Sequence, residues 1–250
     1  MRFTFDQNLF TQVGLDSGAL TMLAGVTHTF QAPGQYRGAV YRGKENVGVF
    51  YLNVDKSSPV AQATIDLSCF ESKNRFAAGV KDSGCCGSQT TPGKENIFDV
   101  NAKGYVVFHL SEGAGGYAVR LGRAEEDPKQ QFQFDSRQLN KGDIFSAVIL
   151  RPGTYSVTNA LGKGKGEITV TYPKLGKQPY RPPNPSKMEC TAGGFEPARA
   201  ELQPGQALLF HCSVPSHIKI ELVKADDGPG RGKELPRPGW KKIALPEKKK

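Results

Sequence analysis

The sequence predicts an all-β fold, and three observations lead to this prediction. Residues 142–172 contain three strand-length runs that alternate apolar and polar side chains, separated by a Pro-Gly pair and by a glycine-rich stretch. The chain also holds 29 glycines and 17 prolines among its 250 residues, a density that long helices do not tolerate. Part of the 142–172 pattern occurs twice. We therefore predict two sandwich units of related architecture.

The internal repeat is a shift of 119 residues that requires no gap. The shift places Pro33, Gly34, Tyr36, Gly43, Lys44, Val49 and Tyr51 on Pro152, Gly153, Tyr155, Gly162, Lys163, Ile168 and Val170. A Pro-Gly pair ahead of a tyrosine suits a tight turn that leads into a strand. We predict that Tyr36 and Tyr155 lie in equivalent places, each with its ring in a sandwich core.

Six segments follow from the distribution of strand patterns and turn residues. They are a first sandwich unit (1–72), a Gly/Cys loop (73–96), a second sandwich unit (97–173), a Pro-rich linker (174–186), a β segment (187–226) and a basic tail (227–250). The β segment has strands but no closing half of its own, and the first unit begins close to Met1. Because a half-sandwich leaves backbone groups unpaired, we predict that residues 198–224 pair with residues 1–56, within one chain or between chains.

Charge is concentrated at the C-terminus. Of the net charge of +9, six units lie in residues 231–250, so a basic groove for duplex nucleic acid is not indicated for the folded part. The tail itself is a candidate contact for a polyanion, through Lys241, Lys242, Lys248, Lys249 and Lys250.

The N-terminal residues show neither a signal peptide nor a membrane-spanning segment. Asp6 lies where a signal peptide requires an apolar run, and no later window approaches about eighteen apolar residues. The sequence therefore predicts a cytoplasmic protein without a transmembrane segment, with a processed, exported protein as the alternative. The five cysteines leave open whether the thiols are reduced, bridged or bound to metal.

Two stretches resemble the cupredoxin family. Residues 140–172, with a Gly-Asp strand, Pro-Gly-Thr-Tyr and a final Gly-x-Ile-x-Val strand, resemble the closing half of that fold, and residues 202–220 resemble its opening half. The resemblance implies β-sandwich units that are cupredoxin-like or immunoglobulin-like. The family takes copper ligands from the loop after the Pro-Gly-x-Tyr strand, but residues 156–162 contain no Cys, His or Met.

One cluster combines ligand types suited to copper or zinc. His211, Cys212 and His217 lie within seven residues, and Cys190 is a further candidate ligand. The simpler interpretation is a strand that ends at Pro215, with Cys212 buried as a small apolar residue. Neighbours on a strand point to opposite faces, so His211 and Cys212 would not easily share one ion. The expectation is no cofactor, with copper or zinc as the alternative.

No catalytic motif is present in the sequence. The nucleophile-elbow and zinc-protease patterns are absent, and Gly228 to Lys233 fails as a phosphate loop because Glu234 stands where Ser or Thr is required. The sequence thus favours a non-enzymatic binding or assembly protein that acts on a protein partner or on itself through strand edges, loops and the tail. The alternatives are a metal-binding cupredoxin relative and a polyanion-binding protein.

Overall fold

The computed structural model describes residues 12–72, 96–125, 132–173 and 179–226, and its secondary structure is almost entirely β. The predicted all-β sandwich is confirmed. The described residues form one short helix, α1 (Cys69–Ser72), and seventeen strands: β1 (Gly14–Asp16), β2 (Ala24–Thr29), β3 (Gly34–Arg42), β4 (Glu45–Asp55), β5 (Gln62–Asp66), β6 (Ile97–Asn101), β7 (Tyr105–His109), β8 (Tyr117–Arg123), β9 (Phe134–Asp135), β10 (Ile144–Val148), β11 (Gly153–Asn159), β12 (Lys165–Val170), β13 (Ser186–Thr191), β14 (Gly194–Glu196), β15 (Arg199–Leu202), β16 (Ala207–Cys212) and β17 (Ile218–Ala225).

The strands form three sheets. A seven-stranded sheet has the order β14-β13-β16-β10-β2-β7-β5, and two five-stranded sheets have the orders β6-β4-β3-β8-β9 and β1-β17-β11-β12-β15. We call the first of these five-stranded sheets the β3 sheet and the second the β11 sheet. One apolar core contains residues of all three sheets.

Both five-stranded sheets pack on the same face of the seven-stranded sheet. Phe145 of β10 pairs directly with Val26 of β2, so both side chains point to one face, and both are buried. The β3 sheet reaches this face through Phe50, whose ring lies 6.1 Å from that of Phe108 in β7. The β11 sheet reaches it through Asn159, whose Nδ2 donates to Sγ of Cys190 at 3.6 Å. Among the described strands, none lies on the opposite face, which we call the open face.

The two Pro-Gly-x-Tyr turns have the same local structure. Gly34 and Gly153 have φ values of +147° and +150°, a backbone region that favours glycine. Tyr36 and Tyr155 follow in β3 and β11 with buried rings, and their hydroxyls donate to the carbonyls of Ala32 and Arg151, each at 2.7 Å. The structure thus places the two tyrosines as the sequence predicts.

Beyond these turns, the gapless alignment is wrong. Val49 and Tyr51 do not match the buried Ile168 and Val170, because Val49 and Tyr51 lie on the outer face of β4. Leu52 is buried opposite Tyr36, just as Ile168 is buried opposite Tyr155. The physical reason is a longer hairpin between β3 and β4, with a register shift between Val40 and Tyr41.

The strands within the predicted second sandwich unit, residues 97–173, pair with strands on both sides of that segment in the sequence. Strands β6, β7 and β8 pair with β4, β2, β5 and β3, whereas β11 and β12 pair with β17 and β15. Strand β10 pairs with both β2 and β16. The expected contact between the two ends is present as β1, whose three residues pair with Lys219 to Glu221 of β17. Most of residues 198–224 pair instead with β10, β11 and β12. The division into domains stays a prediction.

Several predicted features lie outside the described residues. They are residues 73–95 of the Gly/Cys loop, residues 174–178 of the Pro-rich linker and the tail lysines Lys241, Lys242, Lys248, Lys249 and Lys250. Across the described part of the chain, no helix has the length and apolar character needed to cross a membrane.

Candidate functional site

Two of the four predicted metal ligands are neighbours. Cys190 and Cys212 are register partners on the parallel strands β13 and β16, and both are buried and unbridged. The hydroxyl of Ser216 lies 3.2 Å from Sγ of Cys190. Burial raises the pKa of the Cys212 thiol to about 12, although a hydrogen bond with Ser216 opposes the rise. A thiol in this environment stays protonated near neutral pH, so it is a poor nucleophile.

The two histidines do not join this thiol pair. His217 is held by Asp16, with 2.6 Å between Nε2 and Oδ1, at the seam where β1 meets β17. His211 precedes Cys212 in β16, and strand alternation directs its side chain to the open face. Its Nε2 atom is buried and has no hydrogen-bond partner among the described residues.

No larger ligand group surrounds the thiols. In residues 12–72, 96–125, 132–173 and 179–226, no three side chains of His, Cys, Asp or Glu lie close enough to hold a metal ion together. The metal site at Cys190, His211, Cys212 and His217 stays a prediction. Its best-supported part is the pair of thiols.

The open face of the seven-stranded sheet carries apolar side chains at its centre. Val107, Ile144, Val148 and Leu209 alternate along β7, β10 and β16 with residues that point into the core, and each is only partly buried. Polar residues surround this centre, namely Gln62, Thr64, Tyr105, Lys187 and Glu189. An apolar centre with a polar border is typical of a protein–protein interface.

A second surface lies on the outer face of the β3 sheet. Arg120 of β8 is the central residue: its guanidinium carbon lies 4.9 Å from the ring centroid of Phe132 and 5.5 Å from that of Tyr41. Its Nε donates to Oδ2 of Asp135 at 2.7 Å. Arg137 lies over Tyr41 at 5.4 Å. These contacts produce the order Phe132–Arg120–Tyr41–Arg137.

The same outer face continues onto β3 and β4. Arg37 is exposed and pairs with the partly buried Tyr51, which in turn pairs with Ile97 of β6. We call the surface formed by Arg37, Tyr41, Tyr51, Arg120, Phe132 and Arg137 the arginine–aromatic face.

Sequence reasoning missed both surfaces, although the necessary signal is in the strand pattern. In β3 the buried Tyr36, Gly38 and Val40 alternate with Arg37, Ala39 and Tyr41. The alternation identifies an outer face, but only the pairing of β3 with β4 and β8 shows which outward side chains meet.

Comparison with known proteins identifies no relative. No family model matches the chain, and neither a curated protein nor a solved structure matches it significantly.

Proposed function

We propose that the protein is a non-enzymatic β-sandwich assembly protein that binds a second copy of itself through the open face. The observation that supports this proposal is the group of apolar side chains at the centre of that face, Val107, Ile144, Val148 and Leu209. The four central strands, β16, β10, β2 and β7, are antiparallel, and an antiparallel face in contact with water usually carries polar side chains. Apolar residues at these positions gain stability when a partner covers them.

The size of the open face is near the minimum for a specific interface. Seven strands at about 4.8 Å spacing are about 29 Å wide, and a five-residue strand is about 17 Å long. The face therefore offers roughly 500 Å² per copy, or roughly 1,000 Å² in total, which is the lower limit for a biological interface. A homodimer of moderate affinity fits this area.

The charges on the open face also fit a second copy. Lys187 and Glu189 lie two residues apart on β13, and both are exposed on the same side of the sheet. When the twofold axis of such a dimer crosses β13 between these two residues, Lys187 of one copy lies opposite Glu189 of the other. Self-association then brings opposite charges together at the border of the apolar centre.

Strand edges provide weaker support for assembly. Of the six edge strands in the described sheets, β1, β9, β14 and β15 have two to four residues and β5 and β6 have five, and β15 carries the exposed charges Arg199 and Glu201. Short, charged edges resist the addition of another strand. We therefore assign the contact to the face of the sheet and not to its edges.

The mass of the full chain in solution tests this proposal. We expect a dimer that dissociates on dilution over about a hundredfold concentration range, measured by light scattering and sedimentation. Ile144→Lys and Leu209→Lys place a charge at the apolar centre and should each produce a monomer. Thr158→Lys on the outer face of β11 is the matched control and should remain a dimer.

Folding of each variant is checked by circular dichroism and thermal unfolding. A wild-type protein that remains monomeric at the highest concentration contradicts the proposal. So does a folded Ile144→Lys, Leu209→Lys double variant that still dimerises.

A copper- or zinc-binding protein is the second candidate function. The observation that favours it is the register pairing of Cys190 with Cys212, because two cysteine sulfurs on neighbouring strands can bind a soft ion together when the ion displaces their protons. Metal analysis of protein purified without chelator tests this candidate. Stoichiometric copper or zinc that is lost in Cys212→Ser would support it, and metal-free protein that takes up no added ion would contradict it.

A further inference from the structure

We propose that the arginine–aromatic face binds single-stranded nucleic acid. This activity is separate from self-association, because the arginine–aromatic face belongs to the β3 sheet and the open face belongs to the seven-stranded sheet. Three properties of the face support this binding: the order of its planar side chains, the position of its charges and its shape.

The planar side chains form a stacking platform. Aromatic rings and guanidinium groups alternate from Phe132 through Arg120 and Tyr41 to Arg137, at separations of 4.9 to 5.5 Å. Phe132 is 39% exposed at one end of this series, and Tyr51 is partly exposed beside Arg37. Nucleobases stack on both kinds of planar group, and this stacking tolerates any base sequence.

The charges of the face suit a phosphate backbone. Asp135 accepts hydrogen bonds from Nε of Arg120 and from the backbone N–H of Arg137, and Asp99 accepts one from Asn53. Asp135 is thereby paired with the Arg120 guanidinium, and the exposed Asp99 is hydrogen-bonded to a neutral amide. Arg37 remains exposed toward solvent, where it can contact phosphate.

The shape of the face favours a single strand over a duplex. Duplex readers insert a helix or a ribbon into a groove, whereas this face is an outer sheet surface from which no described helix projects. A duplex also keeps its bases stacked on one another and offers none to Phe132 or Tyr51. An acidic peptide would pair with the arginines through its carboxylates, but carboxylates do not stack on the exposed rings as nucleobases do.

The test uses the full chain and fluorescence anisotropy with labelled oligo(dT) and oligo(rU). We expect Phe132→Ala and Arg37→Ser together to weaken binding about tenfold or more, with each single variant contributing part of the loss. Serine is the residue that the β11 sheet carries at position 156, which corresponds to Arg37. The matched control, Lys219→Ser, removes a positive charge from the β11 sheet and should change binding less than about twofold.

Two further variants separate this inference from the other proposals. A full-length variant with glutamine at Lys241, Lys242, Lys248, Lys249 and Lys250 should still bind single strands. Ile144→Lys should do so as well, which shows that nucleic-acid binding does not depend on the proposed dimer.

Four results would overturn the inference. They are no binding by the wild type, binding of duplex DNA or heparin as tight as that of single strands, loss of all binding in the tail variant, and unchanged binding in the folded Arg37→Ser, Phe132→Ala variant. Thermal unfolding confirms that the variants are folded, and Arg37→Ser alone still tests the face if Phe132→Ala is unstable.

Discussion

The hairpins β3–β4 and β11–β12 have matching inner faces and different outer faces. On the inner side, Tyr36 and Tyr155 are buried, and each hydroxyl donates to a backbone carbonyl four residues earlier. On the outer side, β3 presents Arg37 and Tyr41, whereas β11 presents Thr154, Ser156 and Thr158. The inner residues meet the same packing requirement twice, and the outer residues are free to differ in function.

The two sheets also resemble each other beside these hairpins, at two seams: one where β1 meets β17, and one where β9 meets β8. Ser17 and Ser136 are both buried, and their hydroxyl oxygens accept the backbone N–H groups of Ile218 and Val119. One residue before each serine lies an aspartate: Asp16 contacts His217 at the first seam, and Asp135 contacts Arg120 at the second. The buried serine is common to both seams, while the partner of the carboxylate differs.

The largest expected loss of stability comes from truncating the two buried tyrosines of the shared inner face. Tyr155→Ala and Tyr36→Ala should each lower the free energy of unfolding by roughly 3 to 5 kcal/mol, because each removes a large buried ring. Tyr→Phe at either position should cost less, about 1 to 3 kcal/mol, since the ring remains and only the hydrogen bond is lost. Urea denaturation measures both series. A loss below about 1 kcal/mol for either alanine variant would show that the two turns share only their turn chemistry.

The buried serines should produce the next largest effect. Ser136→Ala and Ser17→Ala each leave a buried backbone N–H without its acceptor, which costs about 1 to 3 kcal/mol. We expect similar losses at the two positions, because the donors Val119 and Ile218 occupy matching places in β8 and β17. Losses that differ by more than about 1.5 kcal/mol would separate the two seams energetically.

Replacing the outer cations should affect the two seams unequally. Arg120→Ala removes a hydrogen bond of 2.7 Å to Asp135 and contacts with two rings, so we expect a loss of about 1 to 2 kcal/mol. Lys219 pairs with Asp16 as Arg120 pairs with Asp135, but its Nζ lies 3.8 Å from the carboxylate. Lys219→Ala should cost less than about 0.5 kcal/mol. Equal losses in thermal denaturation would show that neither the short hydrogen bond nor the aromatic contacts of Arg120 add stability beyond that of the longer Lys219–Asp16 pair.

The sequence predicts the inner face well because turn chemistry and a period of two are local properties. A Pro-Gly pair followed by a tyrosine is sufficient to predict that Tyr36 and Tyr155 are core residues, and both rings are buried. Loop length is less visible in the sequence, which is why the gapless shift aligns Val49 with Ile168, although Leu52 is the structural counterpart of Ile168.

Long-range pairing could not be predicted from the same local signals. Parallel pairs such as β4–β6 and β13–β16 join strands that are not consecutive, and nothing in a strand's own residues specifies such a partner. The arginine–aromatic face depends on this pairing, since Arg37, Arg120 and Phe132 are far apart in the chain. Its residues were visible in the sequence, but their proximity was not.

The smallest expected effect concerns Asp16 and the pH dependence of stability. Burial alone would raise the pKa of Asp16, but hydrogen bonds from His217 and from the Gly18 N–H, together with the charges of His217 and Lys219, lower it below its ordinary value of 3.8. A carboxylate whose pKa is lower in the folded state stabilises the protein above its unfolded pKa of about 3.9, and this stability is lost as pH falls through the folded value.

Asp16→Asn should therefore reduce stability above about pH 4 and reduce it progressively less in more acidic solution. Because the Asp16 side chain is 30% exposed, we expect at most about 1 kcal/mol. Urea denaturation of the wild type and Asp16→Asn between about pH 2 and pH 6 measures this difference. A stability difference that stays constant across that range would mean that Asp16→Asn destabilises the protein through altered packing. The charge of Asp16 would then contribute nothing to the contact between β1 and β17.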